Sequence, residues 1–417
     1  MFKKVPGTKD ILPVECFPWQ KIEQISRRIF SVYNFKEIRT PLIEDVVLFN
    51  RSLGQATEIV QKQMFLINNK EDTYALRPEG TASIVRAYIE NNLHKTDGFL
   101  KMYYIGPMFR LERPQKGRLR QFHHLGCEVI GSADANLDVE VISLADSLLK
   151  AYGIEGYKIK INSLGCAGDK QKLSEILKQG LKNNLSQLCE DCKSRFERNV
   201  LRILDCKNKS CQETVVKLNI QDSYLCEECN GHFEKVKSGL DLLKVKYEIC
   251  PFLVRGLDYY TRTVFEIQHN ELGSQDAIGA GGRYDNLVKE LGGPELGSIG
   301  FAFGIERLLL VTNHKSEVKS QDENLVYLAG LGEEAKIQVM LILGQLRNSG
   351  IICDTDYESK SLKGIMRKAN DLGAKYMLII GEDELKKSVV TVKNMSSGEQ
   401  KEVQRDKLLE ELKSGNQ

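Results

Sequence analysis

Residues 251–266, Pro-Phe-Leu-Val-Arg-Gly-Leu-Asp-Tyr-Tyr-Thr-Arg-Thr-Val-Phe-Glu, constrain the fold more than any other stretch. β-Branched and aromatic residues make it a strand, and a strand sends successive side chains to opposite faces. From Leu257 onward, Asp258, Tyr260, Arg262, Val264 and Glu266 share one face, while Leu257, Tyr259, Thr261, Thr263 and Phe265 share the other. That polar row gives the strand a role beyond packing. Gly256 sits where a bulge would turn the backbone, which leaves the side taken by Arg255 open.

A second pair of strands runs over Leu100 to Arg110 and Arg120 to Ile130. Between them lies Leu-Glu-Arg-Pro-Gln-Lys-Gly-Arg-Leu, a tip too charged and too kinked by Pro114 and Gly117 to be buried. Phe122, His124, Gly126, Glu128 and Ile130 face one way on the second strand. The row reads either as a pocket floor, where buried polar groups find partners, or as a solvated outer face. Upstream, Tyr74 to Arg77 form a short strand ended by Pro78. Thr81 is placed to cap a helix from Ala82 to Asn92, and Glu79 lies in the turn, as dipole compensation or as a ligand contact. Residues 18–34 read as an amphipathic helix, and Phe35 to Glu44 as an edge strand interrupted by Pro41. Residues 133–152 form another helix.

The segment Ala277 to Asp285 is glycine-rich but lacks the spacing of a phosphate loop, so its glycines are expected to let backbone approach a ligand. Gly297 to Leu310 runs strand into helix, with Arg307 in the first helical turn. The macrodipole disfavours a cation there, so Arg307 needs an anion, and Glu306 is the simplest one. From about Gly165 to Leu243 the composition turns helix-, lysine- and cysteine-rich. Beyond a polar linker at Thr312 to Asp322, short apolar strands alternate with helices around 333–348 and 361–372. That pattern predicts a small α/β domain with a largely parallel sheet.

At 417 residues the chain has room for roughly two or three domains. With 41% hydrophobic and 28% charged residues and no apolar run of membrane-spanning length, it reads as a globular protein without a membrane partner. The N-terminus has no apolar segment of a secretory signal, so a cytoplasmic location is expected. A net charge of +2 carries no global footprint for nucleic acid. Eleven cysteines in such a chain are better read as thiols or metal ligands than as disulfides.

Arg255-Gly-Leu-Asp-Tyr-Tyr260 resembles the signature of histidyl-tRNA synthetases. The resemblance recurs at Arg39-Thr40-Pro41, at Arg77-Pro78-Glu79-Gly80-Thr81, at Phe109 to Glu128 and at Gly300 to Arg307, in the family's order, and covers the whole chain. It implies an α+β fold: a class II antiparallel sheet flanked by helices, a helical insertion domain and a C-terminal α/β anticodon-binding domain. The corresponding boundaries are 1–164 with 244–318 for the catalytic domain, 165–243 for the insertion and 323–417 for the anticodon domain. The implied activity is ligation of L-histidine to tRNA(His) through histidyl-adenylate, with ATP and Mg²⁺, by a homodimer joined at the Pro41 segment and with no DNA partner. By the same resemblance Glu79, Gly80, Thr81, Arg110, His124, Glu128, Arg255, Tyr259, Tyr260 and Tyr284 bind histidine. Arg110, Arg118 and Arg307 bind ATP, and Arg255 and Arg110 are catalytic. One departure stands out: His124 replaces the family's usual glutamine, and its charge is expected to be changeable near neutral pH. A catalytically silent histidine-sensing paralogue competes, but such a relative lacks the C-terminal domain and the ATP arginines.

Two Cys-x2-Cys pairs, Cys189 with Cys192 and Cys226 with Cys229, could close one tetrahedral structural zinc site. Their separation is longer than in ordinary zinc ribbons, and the family does not depend on zinc. Free thiols are the alternative.

Overall fold

Ten residues, Leu100–Phe109 (β5), pair antiparallel along their full length with ten more, Gln121–Ile130 (β6), from Leu100 opposite Ile130 to Phe109 opposite Gln121. This hairpin anchors the larger sheet. Around it the chain adds Lys36–Glu37 (β1), Lys158–Ser163 (β7), Glu248–Ile249 (β8), Thr261–Gln268 (β9), Ala277–Arg283 (β10) and Ser298–Gly304 (β11). The order is β1-β5-β6-β11-β10-β9-β7-β8, antiparallel except for the parallel pairs β1 with β5 and β7 with β8 at the two edges. A separate three-stranded sheet contains Ile43–Asp45 (β2), Phe65–Asn69 (β3) and Asp72–Leu76 (β4) in the order β2-β4-β3. The computed structural model describes residues 2–414 except 56, 116, 219, 221, 313–323 and 359–360.

Pro41 divides the 35–44 strand. β1 pairs at the edge of the large sheet, the chain leaves the ladder, and β2 joins the smaller sheet. Proline has no N–H to give a ladder, which accounts for the break.

One face of the large sheet buries Leu125, Cys127, Phe265, Ile267, Phe301 and Phe303 against the helices Pro13–Val32, Ala135–Ala151, Glu227–Leu242 and Ile305–Val311. The other face carries Met102, Tyr104 and Val264 toward the helix Thr81–Glu90 and the helical run that follows β7. The sheet thus has one mostly apolar side, whose buried exception is Arg283 paired with Asp138, and one side on which polar groups are gathered around a cavity.

The strand expected over 251–266 is shorter than its composition suggested. Only Thr261–Gln268 joins the ladder, and Arg262 takes the left-handed conformation (φ 45°) where the pairing with β10 shifts register. The expected polar row is therefore divided. Tyr260 and Glu266 reach the polar side, whereas Asp258 accepts from Asn199 Nδ2 at 3.3 Å and Arg262 pairs with Glu228 at 2.5 Å. The glycines of β10 serve the sheet as well as the cavity, which Gly279 lines. A Cβ on Gly281 would stand 2.2 Å from the Gly300 carbonyl oxygen and one on Gly279 2.6 Å from that of Ala302, so these residues admit the neighbouring strand.

The chain divides into two compact units, Met1–His314 and Lys315–Gln417. The second is built on Val326–Gly330 (β12), Cys353–Thr355 (β13), Tyr376–Ile380 (β14), Val389–Asn394 (β15) and Gln400–Gln404 (β16), in the order β13-β12-β14-β15-β16. Only the first three strands are parallel. The expected largely parallel sheet is half antiparallel, because β15 and β16 form a hairpin on its edge. Beyond Thr312, the expected polar linker lies outside the described residues.

Candidate active site

The site starts at the turn from β4 into the helix Thr81–Glu90. Glu79, 4% exposed, accepts from the backbone N–H groups of Thr81 at 2.7 Å and Ala82 at 2.8 Å. It therefore does the capping that the sequence pattern assigned to Thr81. Gly80 is the N-cap and Thr81 the first helical residue, so the Thr81 hydroxyl is free to reach β6 and donate to Glu128 Oε1 at 2.7 Å. Burial raises the Glu79 carboxyl above its ordinary range despite these hydrogen bonds.

Glu128 lies near the C-terminal end of β6, 1% exposed, and its Oε2 accepts from the Tyr284 hydroxyl at 2.6 Å. Burial pushes its carboxyl up to about 8, further than the two donors pull it down. Tyr259 stands edge-on to Tyr284 at 5.7 Å between ring centroids, with Tyr260 at 4.7 Å from Tyr259. The result is a carboxyl group recessed among aromatic rings, suited to a small planar group that can share hydrogen bonds with it.

The cations gather on other elements around the same space. Arg110, just past β5, donates to the Pro78 carbonyl at 2.9 Å and lies 5.3 Å over the Phe122 ring. Arg118, from the hairpin tip, pairs with Glu112 at 3.3 Å. Arg307 donates to the carbonyl of Gly117 at 3.0 Å and to that of Ala277. Its expected partner Glu306 turns instead to His123, accepting from the backbone N–H at 3.0 Å. Arg255 pairs with Glu266 at 2.5 Å, and its Nε is buried with no hydrogen-bond partner. His124 Nδ1 is likewise buried and unpartnered. Burial, then the positive charges of Arg110, Arg77 and Arg307, lower the His124 pKa to about 3. That direction runs against the expected charge change near neutral pH and favours the neutral imidazole.

A cavity of about 740 Å³ joins these groups, lined by Glu79, Thr81, Arg110, Arg118, His124, Glu128, Arg255, Tyr259, Tyr260, Tyr284 and Arg307. Gly80 is not among the lining residues. A Cβ there would stand 2.5 Å from the Tyr104 ring, so the glycine makes room for that ring. Tyr104, which lines the cavity, was missed in the sequence. A readable signal existed: in the hairpin register Tyr104 falls opposite Gly126, the pattern of a ring lying across a strand that lacks a side chain.

Residues 7–308 match the family model described as histidyl-tRNA synthetase, and residues 325–415 match the one described as anticodon binding domain. The chain belongs to the histidyl-tRNA synthetase family. It is 48% identical over 408 residues to the histidine–tRNA ligase of Halothermothrix orenii, covering 97% of each chain. With the histidine–tRNA ligase of Thermodesulfovibrio yellowstonii it shares 45% over 405 residues, covering 97% of this chain and 96% of the relative. The crystal structure of apo histidyl-tRNA synthetase from S. aureus superposes with a TM-score of 0.81 at 36% identity, over 99% of this chain and 100% of that one. The enzyme is a class II histidine–tRNA ligase that takes histidine, MgATP and tRNA as substrates.

The cysteines of this ligase do not assemble as expected. Cys189 and Cys192 group with Cys206 and Cys211, whereas Cys226 and Cys229 group with Cys166 and Asp169. Each Cys-x2-Cys pair opens a different helix, Glu190–Arg198 in one case and Glu227–Leu242 in the other. Cys192 belongs to the apolar cluster on the cavity side of the sheet, while the second helix places Phe233, Val236 and Leu240 in the cluster on the opposite side. One zinc on Cys189, Cys192, Cys226 and Cys229 is therefore excluded.

Proposed function

We propose that histidyl-adenylate forms inside this cavity, with the aromatic recess around Glu128 holding the histidine imidazole and the arginines holding the reacting anions. The observation that carries the proposal is the joining of a buried, doubly hydrogen-bonded carboxyl to Arg110, Arg118, Arg255 and Arg307 in one cavity. Glu79 and Thr81 receive the α-ammonium. A carboxylate oxygen of histidine attacks the α-phosphorus of ATP, the new O–P bond replaces the bond to pyrophosphate, and pyrophosphate departs. The terminal ribose hydroxyl of tRNA then attacks the histidyl carbonyl carbon and AMP leaves. Charge collects on phosphate oxygens in the first step, so Arg255 and Arg110 at the α-phosphate, with Arg118 and Arg307 on ATP, work by electrostatic stabilisation and alignment. The neutral His124 Nδ1 offers one hydrogen-bonding site to the bound amino acid.

The helical segment 165–243 acts on the tRNA acceptor arm and residues 323–417 on the anticodon, with 1–164 and 244–318 carrying the chemistry. The active form is a cytoplasmic homodimer. Exposed apolar residues support a dimer face: Ile43 on β2 and Ile67 on β3, 51% and 39% exposed, point to one side of the small sheet, because their partners Leu76 and Tyr74 lie two residues apart on β4.

Pyrophosphate exchange tested with each of the twenty amino acids checks the site assignment. Exchange should depend on histidine alone, and Glu128→Ala should abolish that selectivity or the exchange itself. Unchanged histidine-dependent exchange in Glu128→Ala would remove the recess from the proposal.

A further inference from the structure

The geometry points to one structural zinc ion held by Cys189, Cys192, Cys206 and Cys211, a site that braces the roof of the catalytic cavity. The four sulfurs all lie within 4.8 Å of one another. Cys189 Sγ and Cys206 Sγ are 3.8 Å apart, too far for a disulfide at about 2.05 Å. A tetrahedron with metal–sulfur bonds of about 2.3 Å has an edge of about 3.8 Å, the observed spacing.

The surroundings suit thiolates. Cys192 and Cys211 have no exposed surface and Cys206 is 7% exposed, so ionised sulfurs at these positions need a cation at their centre. Backbone N–H groups point at the sulfurs: Cys189 N–H donates to Cys211 Sγ at 3.2 Å, and Asn208 N–H to Cys206 Sγ at 3.4 Å. Such donors hold thiolate ligands in place. Four sulfurs with no oxygen donor and no open position describe a closed zinc site, and 4.8 Å leaves room for one ion rather than a cluster. The second group differs in kind, because a carboxylate, Asp169, stands where the first has a fourth sulfur.

The chain enclosed by these ligands touches the active site. Cys189, Arg195, Cys206 and Lys207 line the cavity. Between the ligands, Asn199 donates to Asp258 at 3.3 Å and Arg202 to the Arg255 carbonyl at 3.2 Å. The ion would therefore fix the loop that carries Arg255, an effect that rests on the role proposed above for that arginine; the zinc site itself does not.

Metal analysis of full-length protein, expressed with zinc and purified without chelator, tests the site. One zinc per chain is expected, retained by Cys226→Ser and Cys229→Ser and lost from Cys192→Ser and Cys206→Ser. Because the last two variants could fail to fold, wild-type protein exchanged into cobalt provides the second measurement. It should show the intense visible bands and sulfur-to-metal charge transfer of a tetrahedral tetrathiolate. Well under one zinc per chain, zinc lost with Cys226→Ser instead, or a cobalt spectrum without thiolate charge transfer would each overturn the assignment. A zinc-loaded protein in which Arg255→Ala leaves adenylation unaffected would overturn only the catalytic role of Arg255.

Discussion

Gly300 on β11 lies directly opposite Glu128 on β6, and a Cβ on Gly300 would stand 1.9 Å from Glu128 Oε2. The recess thus depends on a missing side chain one strand away. Gly300→Ala must displace the carboxyl from Tyr284 or push the strands apart, and overpacking of this kind costs about 1–3 kcal/mol. We expect KM for histidine to rise about tenfold or more, with KM for ATP little changed, in pyrophosphate-exchange assays. Equal rises in both constants would show that the glycine supports the sheet generally rather than the histidine recess.

His124, neutral because its pKa is lowered to about 3, cannot supply a titration limb near neutrality. Its depressed value makes it a stabilising neutral group above the ordinary imidazole pKa of 6.5, and that stability is lost as pH falls toward 3. The pH profile of adenylation in His124→Gln should therefore keep the wild-type shape between about pH 6 and 8. Loss of a limb in the variant would mean that His124 carries a proton during turnover.

Glu128 titrates in the opposite sense. Its pKa is raised from 4.5 to about 8, so below 4.5 the folded and unfolded chains both hold the proton. As pH rises from 4.5 toward 8, the unfolded chain releases its proton first and folded stability falls, by an amount on the order of a few kcal/mol at most. Glu128→Gln should remove this slope. Melting temperatures of unliganded wild type and variant should diverge as pH rises, with the variant higher near pH 8; parallel curves would show that the carboxyl is not protonated in the empty recess.

Residues Met1–His314 pack as one unit and contain every residue lining the cavity. A chain ending at Thr312 should therefore form histidyl-adenylate while losing most tRNA charging. Full charging by the shortened chain would remove the anticodon role from residues 323–417.

Regular alternation made the β5–β6 hairpin readable. Ten residues on each strand fix both register and face, so Phe122, His124 and Glu128 could be placed together from sequence. The 251–260 run could not be placed this way, because its backbone is irregular before β9 and Arg262 breaks the period. Cysteine spacing identified each Cys-x2-Cys pair but not which pairs meet. Pairing depends on helices packing on opposite faces of the sheet, and Cys206 and Cys211 carry no local motif strong enough to claim the first pair. That Glu306, the simpler of the two partners open to Arg307, would turn away from it was not legible for a similar reason: its partner His123 lies 183 residues away in sequence.

Arg255 offers the sharpest test of mechanism. Its guanidinium is held by Glu266 at 2.5 Å, while its buried Nε has no partner in a cavity that contains the other phosphate-binding candidates. Two anions, the histidine carboxylate and the α-phosphate, must approach each other before the O–P bond forms. A cation between them lowers their repulsion and the charge that builds afterwards. Arg255→Ala should slow adenylate formation by about a hundredfold or more, as when one preorganised donor is removed. Transfer from preformed histidyl-adenylate to tRNA should suffer less, since the carboxylate and the phosphate are by then already joined and no two anions have to be brought together. Arg255→Lys should rescue poorly, because an ammonium lacks the planar fork that holds Glu266 with one nitrogen and leaves another for substrate. A purely structural Arg255–Glu266 pair predicts the reverse pattern: lowered stability, with Glu266→Gln as damaging as Arg255→Ala and the chemical step nearly intact. Single-turnover adenylation by folded Arg255→Ala separates the two, and a rate within a few-fold of wild type would end the catalytic assignment.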